Sequence, residues 1–300
     1  MTDLVVRKMS FQFDASVPFM WQPANPQFTI FCNAFTFIAV SFERYIIAAL
    51  RQAQDRLAND PVVAEEADAF LRQEAQHAAA HRKHMIALIE QYPGLEQCYD
   101  QTVASFDDLI ATHPVEFHAA YIANLEATFT PMFKVILDHR ESLFGGADSR
   151  VASLMMWHFV EEIEHRSSGL LLYRHLMPDP WYRVKRIRQT FRHVGVVANM
   201  VARAFDEHVP FEDRGESAVQ VMSSALRYEI EYRVRGGRTK GLGPVFRAVP
   251  AADLLRMLWG LALSQTPHHD PADQPLPAWA ATWMREYECG TDMTMFVGKG

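Results

Sequence analysis

The chain has 300 residues, of which 49% are hydrophobic and 22% charged, as in a globular protein of one large or two small domains. Its formal net charge of −7 argues against a nucleic-acid binder, because phosphate contacts favour a basic surface. The three cysteines, Cys32, Cys98 and Cys289, lie far apart, which predicts reduced thiols rather than a disulfide framework.

The N-terminal segment, residues 1–27, is predicted to be an irregular arm, because Pro18, Pro23 and Pro26 interrupt any regular element. It has no apolar signal core, so we expect a cytoplasmic protein. The next stretch, 28–50, is apolar and long enough to span a bilayer. However, Glu43 lies inside it, and the mean hydropathy of the chain is only −0.11. We therefore expect the central helix of a bundle and no transmembrane span.

The apolar pattern along the first 180 residues is that of long helices separated by short breaks, and no stretch alternates as a strand would. The sequence therefore predicts an all-α protein built on a four-helix bundle. The domains are expected to be the arm, a bundle over 28–180, and a C-terminal helical extension over 181–300 that packs on it. The four long helices are predicted at about 27–59, 61–92, 114–143 and 148–177, with a shorter helix or connection at 95–107.

Further helices are predicted in the extension, at about 181–207, 213–235, 250–265 and 276–288. The basic run 183–193 is interpreted as a solvated helix face, with contact to lipid or another anionic partner as the alternative. The glycine-rich stretch 236–244 is predicted to be a loop. It is not a phosphate loop, because no strand precedes it and no Gly-Lys-Ser/Thr follows.

The second long helix contains RQEAQHAAAH at residues 72–81. Glu74 and His77 are three residues apart, and His81 follows four residues later. Side chains at these spacings share one face of a helix. The Glu-x-x-His pair is a candidate metal-binding unit, and His81 is either a further ligand or a hydrogen-bond partner of one.

The fourth helix repeats the unit in WHFVEEIEH at residues 157–165. His158, Glu162 and His165 share one face, with His158 four residues before Glu162. By the same arithmetic, Glu161 and Glu164 point elsewhere, and we expect them to be solvated or paired. His158 is a candidate ligand in addition to the repeated Glu-x-x-His unit, which it precedes.

The first and third helices each contribute one carboxylate in an apolar setting, Glu43 and Glu126. The chain thus contains two copies of a unit in which a lone Glu is followed, one helix later, by Glu-x-x-His. Four such helices in one bundle would assemble a dimetal carboxylate site. The predicted metal ligands are Glu43, Glu74, His77, Glu126, His158, Glu162 and His165.

Carboxylates are anionic and can bridge two cations, and imidazole suits iron, manganese or zinc. Four carboxylates balance two divalent ions, so we expect two iron ions, with manganese or zinc also compatible. No cysteine lies at ligand spacing, which disfavours an iron–sulfur or structural zinc site. Phe37, Phe42, Phe129, Phe133, Met155 and Met156 are interpreted mainly as core residues, with a substrate pocket as the alternative.

These motifs carry a resemblance to known families. Over residues 28–177 the chain resembles the ferritin-like di-iron carboxylate superfamily. RQEAQHAAAH and WHFVEEIEHR are similar to a bacterial family described as predicted metal-dependent hydrolases. The His158, Glu162 and His165 spacing is also similar to the last ligand helix of arylamine N-oxygenases. The resemblance implies a ferritin-like bundle with a dimetal centre.

The leading functional expectation is a di-iron enzyme that activates dioxygen to oxidise a small organic substrate, with an external reductant and no separate protein base. The alternative is a dimetal hydrolase that uses a metal-bound hydroxide. Iron storage is the third class, and the C-terminal extension argues against it. The expected partners are a small-molecule substrate and dioxygen, with no nucleic acid, and a homodimer is a further expectation.

Overall fold

The protein is described by a computed structural model that covers residues 2–237, 243–274 and 276–296. The described residues are helical with connecting turns and contain no β-strand, which confirms the all-α prediction. Part of the predicted loop 236–244 lies outside the described residues. The helices are α1 (Pro26–Gln52), α2 (Gln54–Leu57), α3 (Pro61–Gln91), α4 (Leu95–Thr112), α5 (Val115–Asp138), α6 (Arg140–Phe144), α7 (Ser149–Glu164), α8 (Ser168–Leu176), α9 (Pro180–His208), α10 (Phe211–Arg214), α11 (Ala218–Val234), α12 (Ala251–Ser264) and α13 (Ala278–Glu288).

Local sequence signals explain where the long helices begin. The Asp60 side chain accepts hydrogen bonds from the backbone N–H groups of Val62 and Val63, and Pro61 occupies the first helical position of α3. Asp148 caps α7 in the same way, accepting from the Arg150 N–H. An aspartate cap satisfies N–H groups that have no partner within the helix, which positions the two helices that carry the Glu-x-x-His units.

Four helices form the bundle: α1 packs against α3 and α5, and α7 packs against the same two helices. α1 is long and apolar enough to cross a membrane, but 72% of its most apolar window is buried inside the protein. Its position explains its composition, because a helix surrounded by other helices is apolar on all sides.

The helix predicted over 148–177 is interrupted, which corrects that prediction. α7 ends at Glu164, and α8 begins at Ser168 after a turn. His165 occupies the C-cap position of α7, where its backbone N–H still donates to the Glu161 carbonyl. Glu162 and His165 therefore keep their helical spacing at the end of α7, and the chain changes direction directly after His165.

The N-terminal arm lies against the bundle without regular structure before α1. It follows α3 in the same chain direction, because side chains of that helix donate to successive arm carbonyls. Gln73 donates to the Val5 carbonyl, Lys83 to the Phe11 carbonyl and Gln91 to the Val17 carbonyl. The arm thereby covers the α3 side of the bundle and brings Arg7 into the protein.

The C-terminal helices α9 and α12 pack on α5, and α11 packs on α9. The interpretation of 183–193 as a wholly solvated basic face is wrong at Arg183, which is only 1% exposed. Its guanidinium donates to the Asn124 side chain and to the backbone carbonyls of Ser264 and Thr266. This residue therefore joins α5, α9 and the end of α12.

We predict that Arg183→Leu lowers the free energy of unfolding by about 2–3 kcal/mol, because it leaves buried acceptors without a donor. Arg188→Leu is the control, since Arg188 belongs to the same basic run and is exposed. Chemical denaturation of both variants measures the difference. Equal stabilities would show that the Arg183 contacts contribute nothing to the fold.

Candidate metal centre

All seven predicted ligands meet in the bundle core, where each side chain is at most 2% exposed. α1 contributes Glu43, α5 contributes Glu126, and the other five residues lie on α3, on α7 and at the C-cap of α7. We refer to Glu43, Glu74, His77, Glu126, His158, Glu162 and His165 as the cluster.

One half of the cluster forms around Glu162 Oε1. This oxygen lies 2.7 Å from His158 Nε2 and 3.7 Å from His77 Nδ1. Glu43 Oε1 lies 3.6 Å from the same His158 nitrogen. Ligand atoms of these four residues all lie within 4.8 Å of one another, a separation that one metal ion would span.

The other half forms around His165 Nε2. This nitrogen lies 3.2 Å from Glu162 Oε2, 3.3 Å from Glu74 Oε1 and 3.4 Å from Glu126 Oε2. Glu74, Glu162 and His165 form a second group of mutually close donor atoms. Glu162 belongs to both halves and turns one oxygen to each, which is the arrangement of a bridging carboxylate.

Each cluster histidine directs one ring nitrogen into the cluster and bonds the other to an outer partner. His77 Nε2 lies 3.0 Å from Glu161 Oε2, and His165 Nδ1 lies 3.1 Å from Gln73 Oε1. His158 Nδ1 lies 2.7 Å from His81 Nε2. Outer partners of this kind fix the tautomer and the ring orientation of metal-binding histidines.

The N-terminal arm supports this outer layer through Arg7. Its guanidinium donates to both Glu164 oxygens, at 2.7 and 2.9 Å, and to Glu161 Oε1 at 3.0 Å. Arg7 is 2% exposed and Glu161 is fully buried. Glu164 also accepts from Gln73. Arg7 therefore holds the residues that orient both His77 and His165, and its single positive charge lies against both of these glutamates.

His81 begins a chain of hydrogen bonds that leads away from the cluster. If His158 offers Nε2 to a cation, its Nδ1–H donates to His81 Nε2. His81 Nδ1 then donates to Thr36 Oγ1 at 3.0 Å, and the Thr36 hydroxyl donates to His84 Nδ1 at 3.3 Å. One consistent set of tautomers satisfies every link, so His81 acts as the partner that orients His158.

Burial has opposite effects on the carboxylates and the imidazoles of the cluster. Burial, reinforced by the Glu162 charge, raises the pKa of Glu43 and Glu74 well above the usual range, and that of Glu126 to about 7. Burial lowers the pKa of His77 to about 3. Burial also opposes the charge on His165, but the carboxylates around it, Glu162 first, raise its pKa well above normal. Without cations, the cluster therefore retains protons.

The hydrogen-bonding state of the donor atoms indicates whether cations fit the cluster. Among the described residues, both oxygens of Glu43, Glu74 and Glu126 and the Nδ1 atom of His77 are buried without a hydrogen-bond partner. Leaving so many buried polar atoms unpaired is costly, and native proteins rarely do so. Oxygen and imidazole donors that converge in this way fit two divalent cations, which would supply the missing positive charge.

Gly169, in the first turn of α8, lets this helix approach the cluster closely. A Cβ atom at this position would lie 2.8 Å from Glu126 Cγ and 3.1 Å from its Cβ. Those distances are shorter than van der Waals contact, so any larger residue would displace the Glu126 side chain. The turn after His165 is what places this glycine beside Glu126.

A cavity of about 210 Å³ reaches the cluster between α1, α5, α9 and α11. Glu43, His158 and Glu162 form its inner end. Of the predicted pocket residues, Phe42 and Phe129 line it, whereas Phe37, Phe133, Met155 and Met156 lie in the core. The remaining wall is Phe31, Phe35, Ile38, Ala39, Leu125, Thr128, Met132, Phe191, Val194, Ala198 and Met222.

The structure thus brings together every residue that the sequence analysis placed in the site, while their roles as ligands stay a prediction. Both ring nitrogens of His81 are hydrogen-bonded, one to His158 and the other to Thr36, so it takes the outer position. Glu161 and Glu164 are paired rather than solvated, and both contribute to the outer layer. Glu161 contacts His77 on α3, and spacing within α7 does not encode a contact between two helices.

Arg7 and Gln73 were not identified from the sequence. Gln73 precedes Glu74 directly, and nothing in its spacing predicts a contact with His165. Arg7 lies in a segment without periodicity, so the sequence contains no signal that brings it to Glu161.

A family model described as predicted metal-dependent hydrolase matches residues 5–239 of the chain. This match covers more than half of the sequence, and the chain belongs to that family. No curated protein and no solved structure matches the chain significantly. The matched range includes the arm with Arg7, all four bundle helices and α9.

We predict that the protein as folded binds close to two divalent cations per chain and that Glu74→Gln removes at least one of them. Glu90→Gln is the matched control, because Glu90 is an exposed carboxylate on the same helix. Elemental analysis after loading and desalting measures the metal content. Equal metal content in the two variants would contradict a role for Glu74 as a ligand.

We further predict that cation binding releases at least one proton per chain near pH 7, because the raised pKa values keep cluster carboxyls protonated in the metal-free protein. Below these pKa values protons compete with the cation, so the affinity rises with pH between 6 and 8. Calorimetry in two buffers of different ionisation enthalpy measures the release. An affinity independent of pH would contradict the prediction.

Proposed function

We propose that this member of the predicted metal-dependent hydrolase family is a dimetal hydrolase that acts on a small molecule at the cluster. The observation that carries the proposal is the set of buried, unpaired donor atoms in two groups that share Glu162. The family match independently indicates a metal-dependent enzyme. Manganese and zinc suit this donor set as well as iron does.

Divalent cations in such a site acidify water and polarise a carbonyl or phosphoryl oxygen. The residues of the chain supply the remaining requirements. Glu162 joins the two halves, and Glu161, His81 and Gln73 hold the three histidines with one lone pair directed inward. Because these partners are bonded before any substrate arrives, the site needs little rearrangement for catalysis.

One side of the cluster is covered by the N-terminal arm, and another side is reached by the cavity. On the closed side, Arg7 and Phe11 of the arm lie over α7, where the Phe11 and Trp157 rings are 5.4 Å apart. On the open side, the cavity ends at Glu43, His158 and Glu162. A substrate that enters the cavity would therefore meet the half of the cluster that contains His158.

Dioxygen-dependent oxidation by two iron ions is the second candidate, and the composition of the cavity favours it. Beside the cluster, the described wall offers one polar side chain, Thr128, whose hydroxyl donates to the Leu125 carbonyl of its own helix. No free donor is left there to stabilise a developing oxyanion, and an apolar channel suits dioxygen and a hydrocarbon substrate.

The two candidates predict different requirements for metal and oxygen. A hydrolase loaded with manganese or zinc turns over p-nitrophenyl butyrate or p-nitrophenyl phosphate under argon, and Glu161→Gln lowers this activity by roughly 10–100-fold through loss of His77 orientation. Glu90→Gln retains wild-type activity. Product release under argon and oxygen uptake with Fe(II) are the two measurements.

Absence of hydrolysis with every metal, together with oxygen uptake by the Fe(II)-loaded protein, would overturn the hydrolase proposal in favour of the oxidative one. Hydrolysis that continues unchanged in Glu162→Gln would show that the activity arises outside the cluster.

A further inference from the structure

We infer that the substrate carries a neutral hydrocarbon arm of about eight carbon atoms, which lies in the cavity with the reacting group at its inner end. The inference rests on the proposed function and specifies its substrate class. It makes the substrate a carboxylic ester or amide with an apolar acyl or alkyl group, rather than a sugar, a phosphate ester or a charged peptide.

The first observation that supports this inference is the apolar composition of the cavity wall. Between the mouth and the cluster, the described wall is formed by aromatic and aliphatic side chains, and the Thr128 hydroxyl is already bonded within α5. A charged or hydroxylated arm would lose its hydration and gain no partner, which is costly. A hydrocarbon arm meets no such penalty, and it gains from leaving water.

The volume of the cavity sets the size of the arm. A cavity of about 150 Å³ lined by Leu, Ile and Phe is large enough to bind benzene, a ring of six carbons. At about 210 Å³, the present cavity is larger, which by proportion accommodates about eight carbons.

The geometry at the inner end places the reacting group. The Phe35 ring lies 5.1 Å from the His158 ring and borders the cavity directly beside the cluster. The Glu43, His158 and Glu162 side chains are the polar groups that terminate the channel. An arm that fills the channel therefore has its polar end at these three residues.

Hydrolysis of this substrate class needs only water as co-reactant. The oxygen of water bonds to the carbonyl carbon, and the bond from that carbon to the ester oxygen or amide nitrogen breaks. One proton of the water passes to the leaving oxygen or nitrogen, so the products are a carboxylic acid and an alcohol or amine.

Binding of 1-alkanols of four to twelve carbons to the manganese-loaded, full-length protein tests the inference without relying on activity. We expect the affinity measured by calorimetry to rise about fourfold per methylene group up to about eight carbons and then to level off. The same chain-length dependence is expected for kcat/KM with p-nitrophenyl esters of two to twelve acyl carbons.

Two substitutions on α9 form a matched pair. Ala198→Phe places a ring in the cavity and should lower octanol affinity at least about tenfold, shifting the levelling-off point to shorter chains. Val196→Phe adds the same ring at a position that is 53% exposed and outside the cavity, and it should bind octanol as the wild type does. Ala198→Leu provides a smaller change if the larger ring impairs folding.

The outcomes separate the inference from the proposed function. Chain-length-dependent alkanol binding that Ala198→Phe weakens supports the hydrocarbon arm in the cavity. If no ester or amide is then hydrolysed, the hydrolase proposal and the ester or amide class fail, and the assignment of the cavity to a hydrocarbon arm stands. Alkanol affinity that does not depend on chain length, or equal effects of the two phenylalanine substitutions, overturns the inference even if short esters are hydrolysed.

Discussion

The structure depends on one electrostatic constraint: four carboxylates lie in the apolar core of a helical bundle with little positive charge beside them. Glu43, Glu74 and Glu126 have no hydrogen bond within the described residues, and burial raises the pKa of each. A fold optimised only for stability would place apolar side chains there. Two divalent cations would remove the conflict, since their four positive charges would match the four carboxylates.

Orientation of the three histidines is the second requirement, and it is met by further side chains of α3 and α7 together with Arg7 of the N-terminal arm. Gln73 holds His165, His81 holds His158, and Glu161 holds His77 with the support of Arg7. The irregular arm is therefore a structural part of the site. The bonds from α3 to the arm explain how a segment without secondary structure holds a buried arginine in place.

The C-terminal helices determine what can approach the cluster. α9 and α11 complete the cavity wall that α1 and α5 begin, and α12 packs against α5. Arg183 ties this layer to the bundle through buried hydrogen bonds. The family model extends to residue 239, so the matched region includes both the cluster and the helices that enclose its approach. α1 and α5 therefore contribute to both the cluster and the cavity, whereas α9 and α11 contribute only to the cavity wall.

The sequence by itself determined the helices and the composition of the cluster, because both follow from local rules. Spacings of three and four residues place Glu74 beside His77 and Glu162 beside His165 on one helix face, whatever the remainder of the protein does. Caps such as Asp60 and breaks such as Pro93-Gly94 mark the helix ends. The turn at His165 was not predicted, since the sequence around it contains no proline and the nearest glycine, Gly169, lies within α8.

Only the tertiary structure decided which atoms meet. Arg7 contacts Glu161 across 154 residues of sequence, and Gln73 contacts His165 across 92. Such contacts depend on how elements pack, and no periodicity along the chain encodes them. The cavity also depends on how the helices pack, because its wall combines side chains from α1, α5, α7, α9 and α11. Its volume and apolar character are properties of the packed helices, since each wall residue alone is indistinguishable from an ordinary core residue.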